Sequence, residues 1–393
     1  MSFAIQHSDL RDLYDKVVVG ERLSDADALR LFESKDINAV GAIADFARQR
    51  KVGNRASYIL NRYINYSNYC ILSCQFCSFA RKKRDADGFE LTIEQMVQKA
   101  REALALGITE LHIVGGLHPS LPFSYYVDFL KALKALDPRL QLKCFTAIEI
   151  LHLAWLAKKS VEETLLELKA AGLESLTGGG AEIFRKEVRH AIARGKESAE
   201  EYLTVHRAWH RLGGRSTCTM LFGHVEKLED RVHHLSLLRA LQDETHGFTG
   251  FVALPYQPEN NDIPVRTSPT GFDQLRTLAV SRLYLDNFDH ITAYWVGMGL
   301  KLAQVALSYG ADDLHGTILE EHIFHMAGAK SPQLQTEAEM VKAIREAGRT
   351  PVQRNTFYEA VKEWEAATDT DHAAVSAQSL LRSNLLEGNL ATG

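Results

Sequence analysis

The chain has 393 residues, 46% hydrophobic and 24% charged, the balance of a soluble protein with a large core. Its formal net charge is −5 and no basic stretch is interleaved with aromatics, so nucleic-acid binding has no electrostatic support. No apolar run approaches the ~20 residues that span a bilayer, and the first residues lack the basic and apolar regions of a signal peptide; a cytoplasmic protein with no membrane partner is expected.

Residues 8 to 50 read as two or three helices, with Asp9 or Asp25 as caps and Leu29, Leu31, Phe32, Ile43 and Phe46 as apolar faces. Short β-rich runs then alternate with long amphipathic segments. The predicted strands are Arg62–Asn68, Glu110–Val114, Gln141–Thr146, Ser175–Thr177, Ser216–Phe222, Thr249–Leu254, His290–Val296 and Asp312–Leu314. Between them lie helix-period segments such as TIEQMVQKAREALAL and LEDRVHHLSLLRAL. Strand followed by helix, eight times over, predicts an α/β fold with a parallel sheet closed into a (β/α)8 barrel of the TIM type, an open partial barrel being the alternative. The expected division is a helical extension over 1–54, the barrel over 55–330, and helices with a tail over 331–393. The stretch beyond about residue 366 is rich in small and polar residues and receives no chemistry.

Three of the five cysteines fall in one segment, NYCILSCQFCSF, which spaces them Cys70-x3-Cys74-x2-Cys77 directly after the first predicted strand. Three soft thiolates on one tight loop suit an iron–sulfur cubane or a zinc site. Zinc usually takes two separated pairs or a mixed Cys/His set, and no matching second pair is present. Cys144 and Cys218 lie inside predicted strands and read as small buried apolar residues. A 4Fe-4S cluster on three cysteines leaves one iron open to a substrate ligand.

Function in a barrel gathers at the carboxyl ends of its strands. After the second strand come Gly115 and Gly116, which let the backbone approach a ligand closely, and then His118. After the third lies Glu149, a carboxylate among apolar neighbours that needs either a ligand or a structural partner. The fourth ends in three glycines followed by Glu182, aimed at the cavity. The fifth ends at Gly223 and His224, with His224 either structural or facing the mouth, and the eighth ends at His315 and Thr317. His322 and His325, with Glu320 and Glu321, read as polar helix surface rather than a second metal site.

The spacing Cys70-x3-Cys74-x2-Cys77, with Phe76 before the last cysteine, resembles the signature of the radical S-adenosylmethionine (SAM) superfamily. The resemblance implies that the open iron binds the amino and carboxylate groups of SAM and that an electron from the cluster cleaves SAM to methionine and a 5′-deoxyadenosyl radical. Gly115 and Gly116 resemble the superfamily's Gly-Gly-Glu motif, although Leu117 stands where the Glu is usual. Phe76, Gly115 and Gly116 become cofactor contacts by that resemblance, and Glu149, Glu182 and Gly223 join them as candidates by their places at strand ends.

Longer phrases, HIVGGLHPSLPFSYYVDFLKAL, CFTAIEI, TMLFGHVE and DDLHGTILEE, are similar to the aminofutalosine synthase family of menaquinone biosynthesis; Ser67 and Ala80 depart from its pattern. That likeness covers roughly residues 55 to 360 and implies that SAM is consumed. The adenosyl radical would add to the enolpyruvyl ether of 3-hydroxybenzoate, with aryl migration and decarboxylation. The implied partners are this small dicarboxylate substrate and a reductant such as flavodoxin or ferredoxin. His118, His224, Arg282, His315 and Arg354 are the candidates to hold the substrate. The alternative within the superfamily is a sibling that abstracts hydrogen and releases 5′-deoxyadenosine. A ferredoxin-like carrier or a zinc-stabilised module explains the cysteines but not the barrel with its glycines and carboxylates at strand ends.

Overall fold

A computed structural model describes residues 3–365, so the tail beyond 366 lies outside the described residues. Four helices come first: Phe3–Gln6, Arg11–Val19, Asp25–Glu33 and Ile37–Val52. The caps are Ser24, one residue before the predicted Asp25, and Asp36. Ser24 Oγ accepts from Asp27 N, and Asp27 in turn accepts from Ser24 N, which satisfies two otherwise orphaned donors. Leu31, Phe32 and Ile43 are buried, and these helices lie against the later helices Leu228–Thr245 and Gly271–Tyr284.

The sheet comprises β1 (Arg55–Ile59), β2 (Asn61–Ile64), β3 (Glu110–Ile113), β4 (Gln141–Cys144), β5 (Ser175–Leu176), β6 (Arg215–Phe222), β7 (Phe248–Pro255), β8 (Ile291–Thr292), β9 (Asp313–Gly316), β10 (Thr350–Arg354) and β11 (Ala360–Glu363). Their order is β11-β10-β1-β9-β8-β7-β6-β5-β4-β3-β2. β1 and β2 lie far apart in that order yet are separated in sequence only by Leu60, so the sheet curls round and closes on the segment 55–64. β1 pairs with β9, β2 pairs with β3, and every contact in the ring is parallel. The predicted barrel is therefore present, with helices around it.

The first strand begins seven residues earlier than predicted and stops at Ile64. The Asn residues that follow explain the early end. Asn65 Nδ2 donates to Val114 O at 3.0 Å and Asn68 Oδ1 accepts from Phe89 N at 2.7 Å, and beside these side-chain bonds the run keeps only isolated bridges, Ser67 to Glu90 and Tyr69 to Arg81, in place of a continuous ladder.

After 331 the chain forms the helix Glu337–Glu346 and then two strands, where helices alone were expected. β10 runs parallel to β1, and β11 folds back antiparallel. The β10 segment closes the barrel floor. Arg354 grips Asp313 with two bonds, at 2.6 and 3.0 Å, Thr356 Oγ1 donates to Glu110 Oε2 at 2.9 Å, and Tyr358 stacks on His290 at 3.9 Å.

Candidate active site

A cavity of about 280 Å³ runs from the Cys70–Cys77 loop down the barrel interior to Arg354 and Tyr358. All three cysteines line it, and none forms a disulfide. Their surroundings fit thiolates that carry iron. Leu117 N–H points at Cys70 Sγ at 3.4 Å, the backbone N–H groups of Phe79 and Ala80 meet Cys77, and the Lys196 ammonium lies near both Cys74 and Cys77. Such N–H···S contacts support cluster thiolates. Burial pushes the Cys74 thiol up to about 12, so metal, not the protein field alone, must hold it ionised.

Gly115 and Gly116 line the cavity, but their lack of side chains serves the cysteine loop as well as any ligand. A Cβ on Gly116 would lie 2.3 Å from Tyr69 O and 3.1 Å from Cys70 Cβ, and one on Gly115 would enter the Tyr66 ring. Glu149 faces the same space from the first turn of the helix Ala147–Ala157. Its carboxylate accepts from Thr146 N at 2.8 Å, Thr146 Oγ1 at 2.7 Å, Tyr66 OH at 2.8 Å and Gly115 N at 3.1 Å. The capping box thus meets the need for a partner that the sequence posed, with no cation involved. Glu182 lines the cavity in a left-handed backbone conformation, φ 46°, and pairs with Lys196 Nζ at 2.5 Å. Lys196 also lies over the Phe76 ring, 5.5 Å from its centroid.

His315 and Arg354 reach the cavity; four other candidates do not line it. Arg282 is the clearest correction: its guanidinium is buried against Asp312, Gly310 O and Asp289 O behind the sheet. His118 donates from Nε2 to Glu90 at 2.6 Å while Nδ1 accepts from Ser120 N and Leu121 N, which spends the ring on loop structure. His224 is similarly spent on Leu221 O and Val225 N. Gly223 has φ 87°, and a Cβ there would meet Pro269 at 2.7 Å, so its freedom answers Pro269 and not adenine. Arg354 is already committed to Asp313. His322 and His325 pair with Glu320 and Glu321.

Sequence reasoning missed the interior of the barrel. Tyr63, His112 and Lys143 are register partners across β2, β3 and β4, and all three line the cavity with Tyr294 and His315. Polar residues at inward strand positions were the available signal, but it pointed deeper than the strand ends. Burial holds His315 neutral, down to about 3, and also drives His112 well below the ordinary imidazole value. The bulge in β9, where Ser57 and Ile59 face Asp313 and Gly316, carries His315 at φ 68°.

A barrel of parallel strands with a three-cysteine loop after its first strand, opening on an enclosed cavity, defines a radical SAM enzyme. The radical SAM superfamily model matches residues 64–238, and the model of the CofH/MqnC C-terminal region matches residues 245–367. The chain is 42% identical over 365 residues to aminodeoxyfutalosine synthase of Thermus thermophilus, covering 92% of this chain and 98% of that one. It is 38% identical over 392 residues to cyclic dehypoxanthine futalosine synthase of Streptomyces coelicolor, covering 98% and 97%. In fold it resembles the FeFe-hydrogenase maturase HydG from Carboxydothermus hydrogenoformans, with a TM-score of 0.69, 16% identity, and 89% and 80% of the chains covered. The chain belongs to the radical SAM superfamily, in the group that carries the CofH/MqnC C-terminal region, and membership implies a 4Fe-4S cluster and SAM. No helix among the described residues is long and apolar enough to cross a membrane.

Proposed function

We propose that this enzyme makes aminofutalosine. The adenosyl carbon of SAM joins the vinyl carbon of the enolpyruvyl ether of 3-hydroxybenzoate, the aryl group migrates, and the substrate carboxylate leaves as carbon dioxide or bicarbonate with methionine as co-product. The observation that carries the reading is a single cavity shared by the cysteine loop and the deep barrel interior, closed at its far end by β10. Two reactants held there meet in one shared space. The likeness to aminodeoxyfutalosine synthase supports the choice of reaction.

The cluster, once bound, supplies the electron that cleaves SAM. In this reading Cys70, Cys74 and Cys77 hold three irons, and Phe76, Gly115, Gly116 and Glu182 border the bound cofactor. Glu149 acts at one remove, by fixing Gly115 through its N–H. Apolar walls from Val114, Ile148, Leu221, Val252 and Leu254 keep water and other hydrogen donors from the reacting carbon. Positioning is the chain's main contribution, because reacting carbons must approach to about 3–3.5 Å. A flavodoxin or ferredoxin is the proposed reductant.

The test is product mass spectrometry with dithionite, carbon-labelled SAM and the ether. Label should appear in the nucleoside product in step with methionine release. The likeness to cyclic dehypoxanthine futalosine synthase favours a second reading, hydrogen abstraction from another substrate. Label recovered mostly as 5′-deoxyadenosine in the presence of the ether would sink the first reading.

A further inference from the structure

Lys143 projects from β4 into the barrel at 5% exposure, and no acceptor among the described residues lies within hydrogen-bonding or ion-pairing distance of its Nζ. A buried ammonium without a partner is strongly disfavoured, so such a group points to a ligand. The nearby carboxylates are already engaged. Asp313 is gripped by Arg354, and the two oxygens of Glu110 are taken by Asn61 Nδ2 at 2.9 Å and Thr356 Oγ1 at 2.9 Å. Burial lowers the Lys143 ammonium from its ordinary value, and Glu110 opposes that through space only in part.

Two imidazoles, His112 and His315, line the same part of the cavity. His112 Nδ1 and His315 Nδ1 are both buried without a hydrogen-bond partner. Tyr63 OH lies 3.3 Å from His315 Nε2 and also bonds Tyr294. When Tyr63 donates to Nε2, the proton of the neutral ring sits on Nδ1, which becomes a donor. His112 stacks on Tyr63 at 4.2 Å, which fixes its ring plane. An ammonium on a wall that two neutral imidazoles share suits a carboxylate.

We infer that Lys143, with His112 and His315 beside it, anchors the benzoate carboxylate of the substrate. The inference rests on the proposed reaction and adds which end of the molecule enters first. Lys143 lies inside β4, below the strand's end at Cys144, the left-handed Phe145 and the cap Thr146 at the mouth. The vinyl carbon must lie near the cysteine loop, so the remote ring carboxylate is the one that reaches this depth. Chemistry agrees with depth. The enolpyruvyl carboxylate departs as a neutral or weakly held fragment, and an ion pair with a desolvated ammonium would oppose that departure. The ring carboxylate is kept in the product and loses nothing by being held.

The experiment is calorimetric titration of anaerobic, cluster-loaded protein with reductant and SAM both absent, SAM being titrated in a separate run. The probes are the ether, its analogue with the ring carboxylate replaced by a neutral carboxamide, and 3-hydroxybenzoate. Wild type should bind the ether at least ten-fold more tightly than the carboxamide, a comparison that needs no variant. Lys143→Met should weaken the ether at least ten-fold and leave the carboxamide unchanged, with the cluster absorbance and melting midpoint as controls of folding. Equal binding of ether and carboxamide by wild type would overturn the anchor while leaving the proposed reaction standing. Loss of SAM affinity in Lys143→Met, with the ether unaffected, would place the ammonium on the cofactor and overturn it too. If wild type ignored the ether, the proposed reaction would fail. The anchor would then stand if 3-hydroxybenzoate bound wild type and not Lys143→Met, and fall if it bound both or neither.

Discussion

Four donors of the chain converge on the Glu149 carboxylate, so removing it acts first on the backbone and only then on any ligand. Glu149→Ala should lower stability by about 2–4 kcal/mol in urea denaturation, since each buried donor left unmet costs about 1–3 kcal/mol and part of that relaxes. An unchanged midpoint would return Glu149 to a purely ligand-facing role. At Gly116 the added methyl of Gly116→Ala meets the Tyr69 carbonyl, which cannot yield without shifting Cys70. Iron analysis after anaerobic reconstitution should show a clear loss of iron in this variant. Cys70→Ala, Cys74→Ala and Cys77→Ala should each lose the cluster altogether. Cys144→Ala and Cys218→Ala should keep full iron, because both thiols are buried in barrel strands away from the loop.

Among the elements, β10 carries the largest consequence. Its Arg354 neutralises Asp313 inside the floor, and removing one member of a buried pair typically costs about 3–5 kcal/mol. Arg354→Met alone should destabilise on that scale, and Asp313→Asn combined with it should recover most of the loss; equal stabilities of single and double variants would contradict the pairing. The sequence was legible here only in part. Six of the eight expected strands stand within two residues of where short β-rich runs between amphipathic segments placed them, because period and punctuation are local signals, while His290–Val296 shrinks to Ile291–Thr292 and its end enters the helix Trp295–Met298. The first strand was misplaced because INYSNY has strand composition, although Asn65 and Asn68 bind backbone instead. β10 and β11 were missed because the pairing of β10 with β1 spans nearly three hundred residues of sequence, which no local window contains. Site residues divided the same way: the thiol loop is a local spacing, whereas the spending of Arg282, His118 and His224 on backbone and carboxylate partners is decided by tertiary neighbours.

For the molecule as a whole, acid should act through the floor. The environment of Glu110, buried beside Lys143 and hydrogen-bonded to Asn61, holds its carboxyl down to about 2 against an ordinary 4.5. Asp313 is held well below its ordinary value by Arg354. Their folded-state values are depressed, so the unfolded chain binds more protons in this window. The stabilisation is fully present above about 4.5 and is lost as pH falls towards about 2. Urea midpoints across that range should fall less steeply for Glu110→Gln than for wild type; parallel curves would remove Glu110 from the acid response. The closed floor also sets a sequence of events. With β10 sealing one end, anything deep in the barrel came in past the cysteine loop and must leave the same way. Whichever reactant lies at the mouth is then a stopper for the one below it. Initial-rate kinetics should be compulsory-ordered, with the ether binding before SAM, and excess SAM should inhibit by occupying the doorway of an empty barrel. A random-order pattern without such inhibition would mean that the interior has a second exit.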